Sequence, residues 1–202
     1  MIRDATPGDL PALQSVFERA SLSNPGDRAA LLDHPAALVY SWPDDPTSRC
    51  RVATDDAAGT LVGFVTTTRA DDVLELVDLF VDPGRMRQGI ARALLGDVVV
   101  HAWATGARRL EVDGNPHAHA FYEAVGFVVE SMVVTEFGPG LRLARSSPSG
   151  PGVEAARRGK PVQPTRVRWS SSHSSVRRHP SVAAAASYES RTSQWKPCSA
   201  PG

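Results

Sequence analysis

The segment DPGRMRQGIARALL (residues 82–95) follows the apolar run VLELVDLFV (residues 73–81) without a linker. Glycines and arginines set between a strand-like run and a helix-like run are the parts of a phosphate site. A helix N-terminus presents backbone N–H groups that have no intrahelical partner, and its dipole favours an anion. Gly89 removes the Cβ that would keep a ligand from the backbone, and Arg85, Arg87 and Arg92 can add charge and hydrogen bonds to phosphate oxygens. Gln88, Ile90 and Ala91 contribute through their amides. A tight turn with solvated arginines is the plainer reading of any single glycine turn. The run lacks the Gly-Lys-Ser/Thr of a P-loop and the three glycines of a dinucleotide fingerprint, so a different phosphate carrier is required.

Two carboxylates, Glu75 and Asp78, interrupt the apolar run before this segment. An unpaired carboxylate among apolar neighbours is costly and its pKa tends to rise, which suits a proton acceptor. A salt bridge or a loop cap is the alternative for each. Their odd spacing puts them on opposite faces of a regular strand, and a β-bulge would bring them together. His117 and His119 read as capping or surface residues beside a helix start, and Cys50 as strand packing, since no His/Asp constellation accompanies it.

The elements that must hold these groups are legible in the periodicity. Ile2–Asp4 reads as a first strand, and Thr6-Pro7-Gly8-Asp9 opens a helix over residues 7–20 with Leu10, Leu13, Val16, Phe17 and Ala20 on one face. A second helix is predicted over 27–33. Residues 49–54 and 60–68 form an antiparallel hairpin across DDAAG. Residues 73–81 are apolar on both alternating sets, Val73, Val77, Leu79 and Val81 on one and Leu74, Leu76 and Phe80 on the other, so that strand is covered on both faces. A helix ending near Gly106, a strand at 109–113, a helix at 117–125, a strand at 127–137, a Gly138-Pro139-Gly140 turn and a strand at 141–144 complete a mixed α/β order.

From Ser146 onward Ser, Pro and Gly supply 24 of 57 residues, and the periodicity is lost apart from an alanine run. The expectation is a domain at 1–145 and a disordered tail at 146–202. The net charge of zero divides into about −7 on the first part and +7 on the second. An acidic domain attracts cationic substrates, and the arginines clustered around Trp169 allow nonspecific contact with nucleic acid. Two cysteines, Cys50 and Cys198, provide neither a disulfide framework nor a Cys-based metal site, and no metal is expected. With no signal pattern and no apolar run of membrane length, a cytoplasmic protein is expected.

LFVDPGRMRQGIARALL followed by NPHAHAFYEAVGF resembles the GNAT superfamily of acyl-CoA-dependent N-acetyltransferases over roughly residues 1–144. The family's Arg/Gln-x-x-Gly-x-Gly/Ala loop is matched in its second half by Gly89-Ile90-Ala91, with Met86 where Arg or Gln is common. Asn115, Phe121, Tyr122, Gly126 and Phe127 match the second motif, with Ala118 at the usual alanine and Ala120 extra.

The resemblance implies a mixed, mostly antiparallel central sheet flanked by helices. It also implies acetyl-CoA as co-substrate, a small-molecule or peptide amine as acceptor, and direct transfer within a ternary complex. By the same resemblance the coenzyme lies against Leu79, Phe80, Val81, the 85–92 loop, Asn115, Phe121 and Tyr122. Tyr122 is nominated as the acid for the departing thiolate, with Phe121 in the core, and Glu75 or Asp78 as the base. A homodimer is possible. An acyl-CoA sensor without turnover and a partner-binding tail are the competing readings.

Overall fold

The computed structural model describes residues 1–57, 59–135 and 138–148. The tail assigned to 146–202 lies outside the described residues except for its first three positions. The chain opens with β1 (Ile2–Asp4), a single 3-10 turn, α1 (Leu10–Ser21) and α2 (Pro25–Asp33). It continues with β2 (Ser48–Thr54), β3 (Leu61–Ala70), β4 (Val73–Val81) and α3 (Ile90–Ala104). The last described elements are β5 (Arg109–Gly114), α4 (His119–Ala124), β6 (Val128–Thr135) and β7 (Gly138–Ser146).

The seven strands form one sheet in the order β1-β2-β3-β4-β5-β7-β6. Every pairing is antiparallel except β4 with β5, which is parallel. A parallel pair needs a crossover, and α3 supplies it. The sheet's two faces carry separate cores. Leu94, Leu95 and Val98 of α3 pack with Leu74, Leu76, Leu79, Leu110, Val112, Tyr122 and Phe127 on one face. Leu13, Val16, Phe17 and Ala20 of α1 pack with Tyr40, Cys50, Val52, Phe64 and Phe80 on the other. Covering both faces is what the doubly apolar β4 demanded.

Within β4 the alternation is not regular. Thr66 of β3 pairs with Asp78 and the next residue, Thr67, with Leu76, so β4 bulges at Val77. The bulge advances the side-chain phase by one residue. Leu76 and Leu79 therefore share the α3 core, where a regular strand would separate them, and Phe80 joins the α1 core.

Two further expectations are corrected. Gly138-Pro139-Gly140 belongs to β7, pairing with Thr135, Val134 and Val133 of β6. The β5 ladder stops at Gly114–Leu141, so at Pro139 only β6 flanks the strand and a residue without N–H is tolerated there. The first helix begins one turn later than its cap suggests: Asp9 accepts hydrogen bonds from the Thr6 backbone N–H (2.8 Å) and the Thr6 hydroxyl (2.9 Å), closing a 3-10 turn ahead of α1.

Candidate active site

At the end of β4 the Asp82 carboxylate accepts from the Gly84 N–H (2.9 Å) and is ion-paired with Arg19 of α1, which fixes where the strand ends. The chain then takes two left-handed residues, Arg87 (φ 60°) and Gly89 (φ 81°), and enters α3. No side chain caps Gly89, and the first helical bond of the turn runs from the Ala93 N–H to the Gly89 carbonyl (2.9 Å). The amides ahead of Ala93 thus lack intrahelical acceptors. A Cβ built on Gly89 would meet nothing within 4 Å, so the helix terminus opens to solvent.

Arg87, Gln88 and Arg92 are exposed around that opening, while Met86, Ile90 and Ala91 are partly buried. Arg85 is placed differently from the expectation that it adds charge to phosphate. Its guanidinium is paired with Asp55 of the β2–β3 turn, so that charge is already met. Gly63 of β3 allows the helix start to sit this close to the sheet: a Cβ there would lie 2.9 Å from the Phe80 carbonyl oxygen and 3.1 Å from Ile90 Cγ2.

Beside this terminus the sheet parts. The β4–β5 ladder runs from Val73–Arg109 to Leu76–Val112 and stops at the bulge, although β4 continues to Val81 and β5 to Gly114. Asp78, Leu79, Phe80 and Val81 have no register partner on β5. Alternate N–H groups of a strand paired antiparallel on one side point away from that partner, and here they face the gap.

Tyr122 of α4 closes the far side of the gap. A Cβ on Gly114 would come within 3.2 Å of the Tyr122 ring, so the bare strand end makes room for it. The ring lies between Phe121 (centroids 5.3 Å) and Phe127 (5.5 Å) and is wholly buried, and its hydroxyl has no hydrogen-bond partner among the described residues. Burial first, and the charge of Asp78 second, push the Tyr122 phenol upward from its ordinary value. Phe121, expected in the core, is the half-buried member of the pair. Ala118 is buried and Ala120 exposed.

Asn115 links the end of β5 to α2. Its carbonyl accepts from the His117 N–H (2.9 Å) and its amide donates to Asp27 of α2 (2.8 Å), which also receives Asn24 (2.6 Å). His117 is exposed and His119 partly buried.

The bulge puts Glu75 and Asp78 on the same face of β4, and their surroundings separate them. Glu75 is exposed; Asp78 is half-buried with its carboxyl enclosed, and burial pushes it up to about 6, the Thr66 hydroxyl partly opposing the shift through a hydrogen bond. Cys50 is buried with its thiol pushed up to about 11 by burial, so it is not a ready nucleophile. Two residues of this environment escaped the sequence reading: Thr66, inside a featureless threonine run, and Tyr40, in a segment with no periodicity.

An uncapped helix terminus, a parted sheet and a buried unpartnered phenol beside a carboxylate make a coherent site, and comparison with known proteins decides its lineage. The model of the acetyltransferase (GNAT) family matches residues 13–127, more than half of the chain. The chain belongs to the GNAT family. It is accordingly an acetyltransferase, of a family that uses acetyl-CoA and amine acceptors.

Solved GNAT structures share the fold. The ribosomal-protein-S18-alanine N-acetyltransferase of Escherichia coli superposes with a TM-score of 0.59 at 22% identity, covering 75% of this chain and 96% of that one. The PaiA N-acetyltransferase of Thermoplasma acidophilum, determined in complex with coenzyme A, gives 0.58 at 17% identity over 73% and 98%. A GCN5-related N-acetyltransferase from Kribbella flavida gives 0.56 at 24% over 73% and 97%. No curated protein sequence matches significantly. Among the described residues no helix is long and apolar enough to cross a membrane.

Proposed function

We propose that this GNAT enzyme transfers the acetyl group of acetyl-CoA to a primary amine of a small molecule or peptide by direct attack, with the base and acid supplied from opposite sides of the β4–β5 gap. The amides of residues 87–92, with Arg87 and Arg92, receive the pyrophosphate. The thioester lies in the gap, where β4 amides around Leu79 and Val81 donate to its carbonyl oxygen. Asp78 takes the proton from the ammonium form of the acceptor, and the free amine nitrogen forms a bond to the acyl carbon as the carbon–sulfur bond breaks. The Tyr122 hydroxyl gives its proton to the departing sulfur and recovers one from the newly acylated nitrogen. A half-buried carboxyl poised near 6 is ionised at neutral pH yet close enough to it to hold a proton in passing, which favours Asp78 over the exposed Glu75.

The observation that carries this reading is the wholly buried Tyr122 hydroxyl without a partner at the edge of the gap. Leaving such a group unsatisfied costs on the order of 1–3 kcal/mol, and a ligand sulfur within reach would relieve it. The acidic domain favours a cationic acceptor.

A screen of amines monitored by free coenzyme A thiol tests the reading. Tyr122→Phe is expected to lower kcat by about a hundredfold or more on whichever amine responds, with little change in acetyl-CoA affinity. Acetyl-CoA binding without turnover on any amine class would overturn the enzyme reading in favour of a sensor.

A further inference from the structure

We infer that Thr66 and Tyr40 are positioning residues for Asp78: a buried chain of hydroxyls running from Tyr40 through Thr66 holds the Asp78 carboxyl in a single orientation on its strand. The inference rests on the reading of Asp78 as the base.

Thr66 faces Asp78 directly across the β3–β4 ladder, at the register step created by the bulge, and is only 2% exposed. Directly paired antiparallel residues bring their Cβ atoms to about 5 Å, so the Thr66 hydroxyl is placed to donate to a carboxylate that can only accept, which leaves the Thr66 oxygen to accept in turn. The Tyr40 hydroxyl lies 3.3 Å from that oxygen. With the Thr66 proton given to Asp78, the Tyr40 hydroxyl is the donor to Thr66, and donation runs from Tyr40 to Thr66 to Asp78.

Tyr40 itself is gripped on several sides. Gln14 of α1 accepts from the Tyr40 N–H (2.7 Å) and donates to the Leu38 carbonyl (2.7 Å), clamping the segment before β2 to the helix. The ring is edge-on to Phe64 (5.1 Å) and tilted against Phe17 (5.7 Å). A phenol held this firmly has its hydroxyl direction set by packing, which makes the second donor in the chain preorganised.

The other titratable groups around Asp78 are Cys50 of β2, whose sulfur lies 3.8 Å from the Tyr40 hydroxyl, Tyr122 of α4, and Glu75 on the same face of β4. From α1 the core receives Leu13, Val16, Phe17 and Ala20, all uncharged, and Arg19 is exposed and paired with Asp82. Burial favours the neutral acid and the Thr66 donor favours the anion, so the hydroxyl chain decides how far the carboxyl can be buried and still ionise.

The test uses the full chain labelled with 13C at the aspartate carboxyls, with Asp78→Asn identifying the Asp78 signal. No acceptor is needed for this titration. Thr66→Val keeps the shape and removes the donor; it is expected to raise the Asp78 midpoint by about one pH unit, and Thr66→Ser to restore it. Tyr40→Phe is expected to move it in the same direction by less, and serves alone if Thr66→Val does not fold. On a responsive amine the acidic limb of kcat/KM is expected to move with the titration, giving a loss of about fivefold at pH 6 and approaching tenfold below pH 5 in Thr66→Val.

A midpoint that stays at its wild-type position in both Thr66→Val and Tyr40→Phe overturns the positioning role while leaving Asp78 as base. If instead Asp78→Asn keeps wild-type turnover and its acidic limb, the base reading falls, and this inference with it, whatever the titration shows.

Discussion

Replacing Asp78 with asparagine should make the protein more stable at neutral pH while it abolishes acetyl transfer. The carboxyl titrates at about 6 in the folded chain against 3.8 for an unburied aspartate. Below pH 3.8 folded and unfolded chains both hold the proton, and ionisation contributes nothing to the difference between them. As the pH rises through the interval up to 6, the unfolded chain releases its proton and the folded chain does not, so stability falls; above 6 the loss is constant. One pKa unit is about 1.4 kcal/mol, so the full shift corresponds to about 3 kcal/mol, an upper limit because the residue is half-buried and water screens part of the cost. Asparagine does not ionise and can still accept from Thr66. The gain of Asp78→Asn over wild type should therefore be near zero at pH 4, grow to about 1–3 kcal/mol by pH 7, and appear as a rise in Tm of several degrees. Denaturant unfolding at a series of pH values measures it. A difference that does not vary with pH, or a variant less stable than wild type at pH 7, would refute the assignment of a buried, reluctantly ionised carboxyl.

Other consequences concern the loop before α3 and the N-terminal cap. Gly89→Glu places a side chain on a residue with φ of 81° and a negative charge before the open amides of α3. It should cost about 1–3 kcal/mol in stability and weaken acetyl-CoA binding by at least about tenfold; calorimetric titration showing unchanged affinity would remove the phosphate role from this terminus. Asp9 is held well below the usual carboxylate range, chiefly by its hydrogen bonds with Arg3 (2.7 and 2.8 Å). A depressed carboxyl stabilises above its unfolded pKa and loses that contribution as the pH falls, so Asp9→Asn should lower stability by about 1 kcal/mol at pH 7, with the gap closing toward pH 2 in the same unfolding series.

Much of this fold could be read from the chain because its punctuation is local. Val73–Val81 is bounded by Asp71-Asp72 and Asp82-Pro83-Gly84, and the observed β4 has the expected limits. Gly89 was legible as a helix start because only a residue without Cβ suits both the turn and an approaching ligand. What escaped depends on partners far along the chain. Arg85 looked available for phosphate, yet Asp55 takes its charge from across the β2–β3 turn. The bulge at Val77 has no residue signature; it becomes visible only once the β3 register is known. It also decides which carboxylates share a face. Thr66 and Tyr40 illustrate the same point, since a hydroxyl chain spanning a strand and an irregular segment leaves no spacing to detect.

The β4–β5 pairing has a mechanical consequence. Antiparallel ladders knit β1 to β4 on one side and β5 to β7 on the other, and among the described residues the two blocks share a ladder only along the short parallel stretch from Val73–Arg109 to Leu76–Val112. That stretch is short, and one end of it is already unzipped. A molecule lying in the opening touches both blocks and acts as a splint across them. Amide hydrogens of Leu110 and Val112 should accordingly exchange more slowly when acetyl-CoA is bound, while those of the β2–β3 ladder, inside one block, should be indifferent to it.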